Sequence, residues 1–259
     1  MLKKIITVSL TTLILVSCVT SPLGRKQLSF MPADQMSTMG VEAFSQMKQE
    51  TPIETNSNTN NYVTCIANAL IQVSDNETEW EVVVFEDDTA NAFALPGGKI
   101  GVHTGLLKIA ENQHQLAAVI GHEIGHVLAN HSNERVSQEF VLSQGLALVQ
   151  SLSNIQSPMG KQLVGLLGVG AQYGIILPYS RTHESEADEM GLYFMAKAGF
   201  KPQESVKLWQ NMSAGSESQP PEFASTHPSH DTRISKLNQA MGQAQQLYKQ
   251  AANKPNCRL

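Results

Sequence analysis

The sequence has little concentrated positive charge, and this restricts the partners that the protein can have. Its 259 residues carry a formal net charge of −5, and Lys and Arg form no cluster outside the extreme N-terminus. Because proteins that bind nucleic acid need a basic surface to neutralise phosphates, we expect no nucleic-acid partner. Hydrophobic residues make up 41% and charged residues 16%, which is the balance of a globular domain rather than of a disordered chain.

Apolar runs long enough to cross a bilayer are also missing, and a shorter one stands near the N-terminus. Two lysines precede the apolar run Ile5 to Val16, an order typical of a secretory signal. The last residues, Leu15 to Cys18, resemble a bacterial lipobox, in which the signal is cut before a cysteine that carries lipid. We predict a lipoprotein signal peptide over residues 1–17 and a lipidated tether over residues 18–30. The alternative is an ordinary signal or an uncleaved anchor with an incidental cysteine.

A lipid on Cys18 would place the protein outside the cytoplasm and anchor it to a membrane. The next residue is Val19 rather than Asp. By resemblance to enterobacterial lipoproteins, this favours the outer membrane over the inner membrane. We therefore expect a periplasmic protein that contacts the membrane through its lipid anchor.

Cysteine is scarce, and only Cys65 and Cys257 remain beyond Cys18. An even pair in an oxidising compartment is a candidate disulfide. Such a bond would tie the C-terminal tail to the first helical region. The alternative is two independent thiols, one in a helix and one in a loose tail.

Apolar periodicity predicts a mainly helical α+β domain over residues 31–259, with a small antiparallel sheet. The predicted helices are Pro32–Gln49, Tyr62–Val73, Gln113–Asn130, Arg181–Ala198, Pro202–Met212 and Thr232–Ala252, and the predicted strands are Trp80–Phe85, Ala90–Leu95 and Lys99–His103. The apolar segment Ser137 to Tyr179 is interpreted as two helices with a break near Ser157-Pro158. These are core helices, or alternatively a mobile lid or a surface that lies against the membrane.

The residues His122-Glu123-Ile124-Gly125-His126 form an H-E-x-x-H motif within the strongest predicted helix. Residues four apart lie on one helical face, so the two imidazoles can share one tetrahedral zinc. Glu123 stands beside the first of them and can act as general base toward a bound water. A pair of hydrogen-bonded core histidines is the alternative. His131 lies off the face of the two motif histidines and is interpreted as a neighbouring or surface residue.

A catalytic zinc site needs a third protein ligand, and the segment Ser180 to Asp188 offers candidates. Glu184 and Asp188 are four apart and share a helical face, whereas Glu186 points elsewhere. Glu184 as ligand, with Asp188 accepting a hydrogen bond from a ligand histidine, is coherent. His183 competes for the ligand role, and an acidic helix start without any ligand remains possible.

The two motifs together, H-E-x-x-H and S-R-x-x-E-x-E-A-D-x-x-G, resemble the gluzincin family of HtpX and the CAAX prenyl proteases. With the lipobox, the chain is most similar to the periplasmic lipoprotein branch, which is LoiP- and BepA-like. The resemblance covers roughly residues 31–237. It implies a zincin-type fold with the sheet beside the active-site helix, and one zinc ion bound by His122, His126 and Glu184. It also implies Glu123 as catalytic base, and Asp188 as a supporting residue or proton donor.

The segment Thr226 to Arg233 also resembles the family's H-P-x-x-x-x-R motif. His227 is accordingly a candidate latching ligand or a hydrogen-bond donor in the transition state. A Pro-fixed turn into the last helix is the alternative.

Residues Asn91 to Ala94 fit a sheet edge on which an extended substrate could add as a strand, although an ordinary sheet explains them equally.

The sequence therefore predicts a periplasmic zinc endopeptidase that hydrolyses unfolded or misassembled envelope proteins. The alternative is a chaperone or assembly factor for outer-membrane proteins whose zinc site is latched, with the outer-membrane assembly machinery as partner. A purely structural zinc site is disfavoured because Glu123 would have no role there and the ligands are not rich in cysteine.

Overall fold

The computed structural model describes residues 18–152, 177–214, 227 and 231–259. The predicted α+β class is confirmed, because within these residues helices predominate over two small sheets. In chain order the elements are β1 (Cys18–Thr20), β2 (Lys26–Leu28), α1 (Ala33–Glu50), α2 (Ser57–Val73), β3 (Glu81–Phe85), β4 (Ala92–Leu95), β5 (Lys99–His103), a 3-10 turn (Thr104–Lys108), α3 (Gln113–Leu128), α4 (His131–Leu152), α5 (Leu177–Lys197), α6 (Gln203–Ala214) and α7 (Asp231–Gln250).

The described residues form two compact units, and the smaller one contains those up to Ala33 and those between Asn130 and Thr182. In it, β1 and β2 form an antiparallel hairpin whose turn contains Gly24 at a φ of 88°. Arg25 donates to both carboxylate oxygens of Glu134 in α4, at 2.8 and 2.7 Å. This hairpin differs from the irregular tether expected over residues 18–30. Its stabilising partner is far away in sequence, so no local pattern reveals it.

Within the smaller unit, α4 begins at His131, earlier than the predicted helical segment at Ser137. The predicted break near Ser157-Pro158 lies outside the described residues. Among the residues that are described, no helix is both long and apolar enough to cross a membrane.

The larger unit contains residues 34–129 and 183–259, including a three-stranded sheet of order β3-β5-β4. β4 pairs antiparallel with β5, whereas β3 pairs parallel with it, so the sheet is mixed where an antiparallel one was expected. Residues 100–102 of β5 are buried, and the central place gives this strand a neighbour on each side. β4 is consequently an edge strand of this sheet.

Helix α3 is the centre of the larger unit and packs against α2, α6 and β4. The side chain of Asn112 caps its N-terminus by accepting hydrogen bonds from the amides of His114 and Gln115. Every residue from Gln115 to His126 is buried, as the apolar pattern around the motif predicts. The helix ends at Leu128, because Asn130 adopts a positive φ of 54° and turns the chain.

Three glycines let the backbones of α3 and α5 approach each other closely. A Cβ on Gly191 would lie 2.6 Å from the backbone nitrogen of His122, and one on Gly121 would lie 3.0 Å from the Gly191 carbonyl oxygen. Further along, a Cβ on Gly125 would lie 3.0 Å from the carbonyl oxygen of Ala187. The close crossing sets the acidic residues of α5 directly beside the H-E-x-x-H helix.

Within the larger unit, the C-terminal tail is held against α2 and α3 by a disulfide and by hydrogen bonds. A disulfide joins Cys257 to Cys65 in α2, with their Cα atoms 5.9 Å apart. The Cys257 amide donates to Oε1 of Gln113 at 2.8 Å, and Nε2 of Gln113 donates to the Pro255 carbonyl oxygen at 3.0 Å. The tail thus connects α2 with the N-terminus of α3.

We expect Gly191→Ala to destabilise the protein by about 1–3 kcal/mol, because the added methyl group forces α3 and α5 apart. Zinc affinity should fall as well, since the crossing sets the separation of the ligands. Gly242→Ala in α7 is the matched control, because a Cβ there meets no atom within 4 Å. Urea unfolding and zinc titration measure both effects, and equal stability of the two variants would contradict the account.

Replacing Cys65 and Cys257 together by Ala should lower the free energy of unfolding by about 2–5 kcal/mol, because the bond closes a long loop in the unfolded chain. The two cysteines are 192 positions apart. Urea denaturation of the variant and of the oxidised protein measures the difference. Mass spectrometry without reductant gives the direct check, and free alkylation of both cysteines would refute the bond.

Candidate metal centre

The two motif histidines of α3 point their outer ring nitrogens at one spot. His122 Nε2 and His126 Nε2 are 3.0 Å apart, and both side chains are buried. The residues are one helical turn apart, so the helix itself brings the rings together. Two lone pairs facing each other at this distance repel, unless a proton or a cation lies between them.

Glu184 of α5 and His227 complete a cluster of four potential ligands. The carboxylate oxygens of Glu184 lie 3.3 Å from His122 Nε2 and 3.3 Å from His126 Nε2. His227 Nδ1 lies 3.2 Å from His122 Nε2 and 3.2 Å from both oxygens of Glu184. One ligand atom from each of the four residues lies within 4.8 Å of all the others.

These separations fit one zinc ion. In a tetrahedral site with zinc–nitrogen distances of about 2.0–2.1 Å, neighbouring ligand atoms are about 3.3–3.4 Å apart. Imidazole and carboxylate are ligands that zinc prefers, and the predicted cofactor, one zinc per chain, is confirmed by the fit of this donor set. Among the described residues, this is the single group of His, Cys, Asp and Glu with such geometry.

The charges of the cluster also favour a divalent cation. Glu123, Glu184 and Asp188 are three buried carboxylates, while Arg233 is a buried guanidinium of opposite sign. Buried charge is costly unless it is compensated, and once His122 is neutral, as a metal ligand must be, a divalent cation would neutralise the two negative charges that remain.

Asp188 and Arg233 hold His122, the first of the potential ligands, in place. His122 Nδ1 lies 2.9 Å from Asp188 Oδ1, and Arg233 donates to both oxygens of Asp188 at 2.5 and 2.6 Å. Burial acts to raise the pKa of Asp188, but Arg233 and His122 outweigh burial and hold that pKa below its ordinary value. The ionised carboxylate is placed to accept a hydrogen bond from the Nδ1–H of His122, and this leaves Nε2 directed at the metal position.

The ionisation of His122 and Glu184 reflects how tightly they are paired. Burial acts to lower the pKa of His122, yet the hydrogen bonds with Asp188 and Glu184 outweigh it and raise the pKa to about 9. Burial acts to raise the pKa of Glu184, but His122 and His126 overcome it and hold the pKa far below its ordinary value. Glu184 is therefore an anionic oxygen donor, and a metal that binds His122 must displace a proton.

Glu123 lies beside the four ligands and contacts the edge of the sheet. Its Oε2 accepts a hydrogen bond of 3.2 Å from the amide of Ala94 in β4, and its Oε1 lies 3.4 Å from His227 Nε2. Burial raises the pKa of Glu123, and the neighbouring His227 and His122 oppose this. A carboxylate with a raised pKa accepts a proton more readily, as a general base must.

The structure brings together six of the residues singled out in the sequence, and their catalytic and binding roles remain predictions. They are His122, Glu123, His126, Glu184, Asp188 and His227. The competing candidate His183 is buried but lies outside the four-residue ligand group. His131 begins α4 and belongs to the other compact unit.

Sequence reasoning did not assign a role to Arg233 or Trp209. The guanidinium carbon of Arg233 lies 3.6 Å from the ring centroid of Trp209, in addition to the contacts with Asp188. The H-P-x-x-x-x-R motif contains Arg233 and could have signalled its importance. Trp209 lies in an ordinary amphipathic helix, where a core role explains it equally well, so nothing local distinguishes it.

Comparison with known proteins agrees with this site. The model of peptidase family M48 matches residues 57–241, a range that contains all six candidate residues. Mitochondrial metalloendopeptidase OMA1 of Schizosaccharomyces pombe is 36% identical over 187 residues, covering 71% of this chain and 53% of the relative.

Two bacterial relatives match a longer part of the chain. The Beta-barrel assembly-enhancing protease of Yersinia pestis is 30% identical over 221 residues, covering 82% of this chain and 45% of the relative. The protein of that name from Escherichia coli K12 is 26% identical over 238 residues, covering 89% and 48%. The chain thus spans about half the length of these relatives. The predicted family resemblance is confirmed, and the chain belongs to peptidase family M48.

Proposed function

We propose that the protein is a zinc-dependent endopeptidase that hydrolyses peptide bonds of unfolded or misassembled envelope proteins. The observation that carries the proposal is the position of Glu123. Its carboxylate lies at the junction between a His-His-Glu ligand set and the edge strand β4. A structural metal site would not need a buried acid at this place.

The chemistry follows from the side chains around the metal position. A zinc ion held by His122, His126 and Glu184 would polarise the scissile carbonyl and lower the pKa of a bound water. Glu123 is placed to act as general base toward the attacking water and to deliver the proton to the leaving amine. The hydrogen bond from the Ala94 amide keeps the Glu123 carboxylate oriented toward this task.

The edge strand supports a polypeptide substrate. Among the described residues, β4 pairs with β5 alone, so the main-chain groups on its other side, apart from the Ala94 amide that donates to Glu123, are positioned to pair with an added strand. A substrate that pairs in this way must be extended, which favours unfolded segments over folded domains. Main-chain pairing is also tolerant of sequence, and this suits an enzyme that removes many different misassembled proteins.

The proposed envelope location is supported by the N-terminal sequence and by the names of the two bacterial relatives, whereas the fungal relative is named mitochondrial. Residues 1–17 followed by Cys18 have the order of a lipoprotein signal, and we propose that the mature chain is lipidated at Cys18, tethered by residues 18–30 and continuous with one protease domain over residues 31–259. Two relatives are named for enhancing β-barrel assembly. On these grounds we propose that the protein acts in the periplasm at the outer membrane, with the assembly machinery of β-barrel proteins as partner.

A second candidate function is favoured by His227. Its Nδ1 lies among the metal ligand atoms, where a fourth protein ligand would exclude substrate and water. A protein latched in this way could bind envelope clients without cleaving them and act as an assembly factor. The endopeptidase is preferred because an assembly factor would not require the Glu123 carboxylate.

Glu123→Gln should keep zinc affinity while kcat/KM for an unstructured protein such as casein falls about 10²–10⁴-fold, because the variant loses its general base. Glu189→Gln is the matched control: it changes the same type of side chain in α5, where Glu189 accepts a hydrogen bond from Tyr193. Removal of zinc by a chelator should abolish cleavage in both the control and the unmodified protein.

Two results would contradict this function. Retained cleavage by zinc-loaded Glu123→Gln, in a preparation free of other proteases, would remove Glu123 from the mechanism. If the unmodified protein binds unfolded β-barrel clients but cleaves none of them, and Glu123→Gln binds them equally well, the assembly factor is the correct function.

Cys18→Ala should release the protein from the membrane fraction of its host into the soluble periplasmic fraction, because the acyl anchor is lost. Val19→Asp should instead move the protein from the outer to the inner membrane. Fractionation on a density gradient, followed by immunoblotting, measures both. Equal membrane association of a Cys18→Ala protein from which residues 1–17 have been removed, as checked by mass spectrometry, would exclude lipidation as the anchor.

A further inference from the structure

Arg233 is a buried cation whose donor groups are all directed at the metal centre. Besides the two hydrogen bonds to Asp188, its Nη1 lies 3.2 Å from Oε2 of Glu184 and donates to the carbonyl oxygen of His227 at 3.0 Å. Its side chain is 3% exposed. A buried guanidinium with this many partners cannot move without breaking several charge-assisted hydrogen bonds.

Trp209 fixes the plane of this guanidinium. The guanidinium carbon of Arg233 lies 3.6 Å from the Trp209 ring centroid, which is the distance of a stacked cation–π contact. The same indole lies edge-on to the His122 ring, with centroids 6.5 Å apart. Stacking on a buried indole fixes the plane of the guanidinium, and within that plane its N–H groups contact Asp188, Glu184, His227 and Nδ1 of His122.

His227 is the member of the ligand group that most needs an external support. Its side chain is 15% exposed, whereas those of His122, His126 and Glu184 are 3%, 9% and 6% exposed. The other three ligands lie within α3 and α5, whose close crossing sets their positions. The contact from Arg233 reaches the main chain of His227, so it fixes the point from which that side chain extends toward the metal position.

We propose that Arg233 is a positioning residue that joins His227 to the scaffold of Asp188 and Glu184, and thereby sets how firmly His227 is held at the metal. This inference rests on the proposed zinc site. The guanidinium donates hydrogen bonds to both oxygens of Asp188 through Nε and Nη2. Its remaining nitrogen, Nη1, donates to the carbonyl oxygen of His227. One planar group thus connects the support of His122 with the main chain of His227.

Lysine cannot replace Arg233 in this arrangement. An ammonium group keeps the positive charge that Asp188 and Glu184 require, but its donors radiate from a single nitrogen atom. It cannot contact both oxygens of Asp188 and the His227 carbonyl together. Arg233→Lys therefore separates the positioning role from the charge.

A double-mutant cycle tests the coupling between Arg233 and His227 in the full chain. Zinc dissociation constants are measured by competition with a chelating dye for the unmodified protein, Arg233→Lys, His227→Ala and the double variant. We expect Arg233→Lys alone to weaken zinc binding about 10- to 100-fold, as loss of a supporting contact does. With His227 already replaced by Ala, the change in the zinc dissociation constant caused by Arg233→Lys should be smaller by a factor of about five or more.

Cobalt substitution gives a second readout that a general loss of stability would not produce. The visible absorption of bound Co²⁺ reports the number and arrangement of its ligands. Arg233→Lys should shift the cobalt spectrum toward that of His227→Ala. Lys236→Met is the matched control, because Lys236 also lies in α7 and also contacts α5, through Ser185 at 2.9 Å, but outside the ligand group.

The possible failures are distinguishable. An equal effect of Arg233→Lys in the presence and absence of His227, with an unshifted cobalt spectrum, would overturn the positioning role. If His227→Ala alone leaves zinc affinity and spectrum unchanged, the coupling is zero, the inference is overturned, and His227 itself is excluded as a ligand. Failure of the proposed peptidase would show instead as zinc-loaded, unmodified protein that cleaves no substrate.

Discussion

The near contact of two helix backbones is the constraint on which the metal centre depends. α3 supplies two imidazoles and a carboxylate, but its own geometry cannot supply a third ligand on the same face. Gly121, Gly125 and Gly191 remove the side chains that would hold α5 away, and the Glu184 carboxylate thereby comes within 3.3 Å of both imidazoles. The same crossing places Asp188 against the inner nitrogen of His122, so ligand and support come from one helix face.

The buried charges at this crossing favour the binding of a divalent cation. Three carboxylates are buried where apolar side chains would otherwise pack, and Arg233 compensates one of them. This arrangement makes a divalent cation part of the stability of the larger unit as well as of its chemistry. The surroundings also shift the pKa values of two of these acids in opposite directions. The neighbouring histidines lower the pKa of Glu184, whereas burial raises the pKa of Glu123. One acid thus suits a ligand and the other suits a base.

Relations between residues close in sequence were predictable, whereas most contacts between distant segments were not; the Cys65–Cys257 bridge is an exception, because the scarcity of cysteine made this pair a candidate. The spacing of His122 and His126 predicts two ligands on one face, since helix geometry is local. Selection of Glu184 over His183 needed a family resemblance, because spacing alone could not show which side chain the crossing would bring inward. The parallel pairing of β3 with β5 and the ion pair of Arg25 with Glu134 depend on chain paths that no local pattern records. The roles of Arg233 and Trp209 belong to the same class.

The central claim is that one zinc ion lies between α3 and α5. X-ray diffraction from crystals of the zinc-loaded protein, recorded on both sides of the zinc absorption edge, tests this directly. The account predicts one anomalous peak per chain, about 2.0–2.2 Å from His122 Nε2, His126 Nε2 and a Glu184 oxygen. A peak at another group of residues, or zinc-loaded crystals in which these three side chains contact each other without an ion between them, would contradict it.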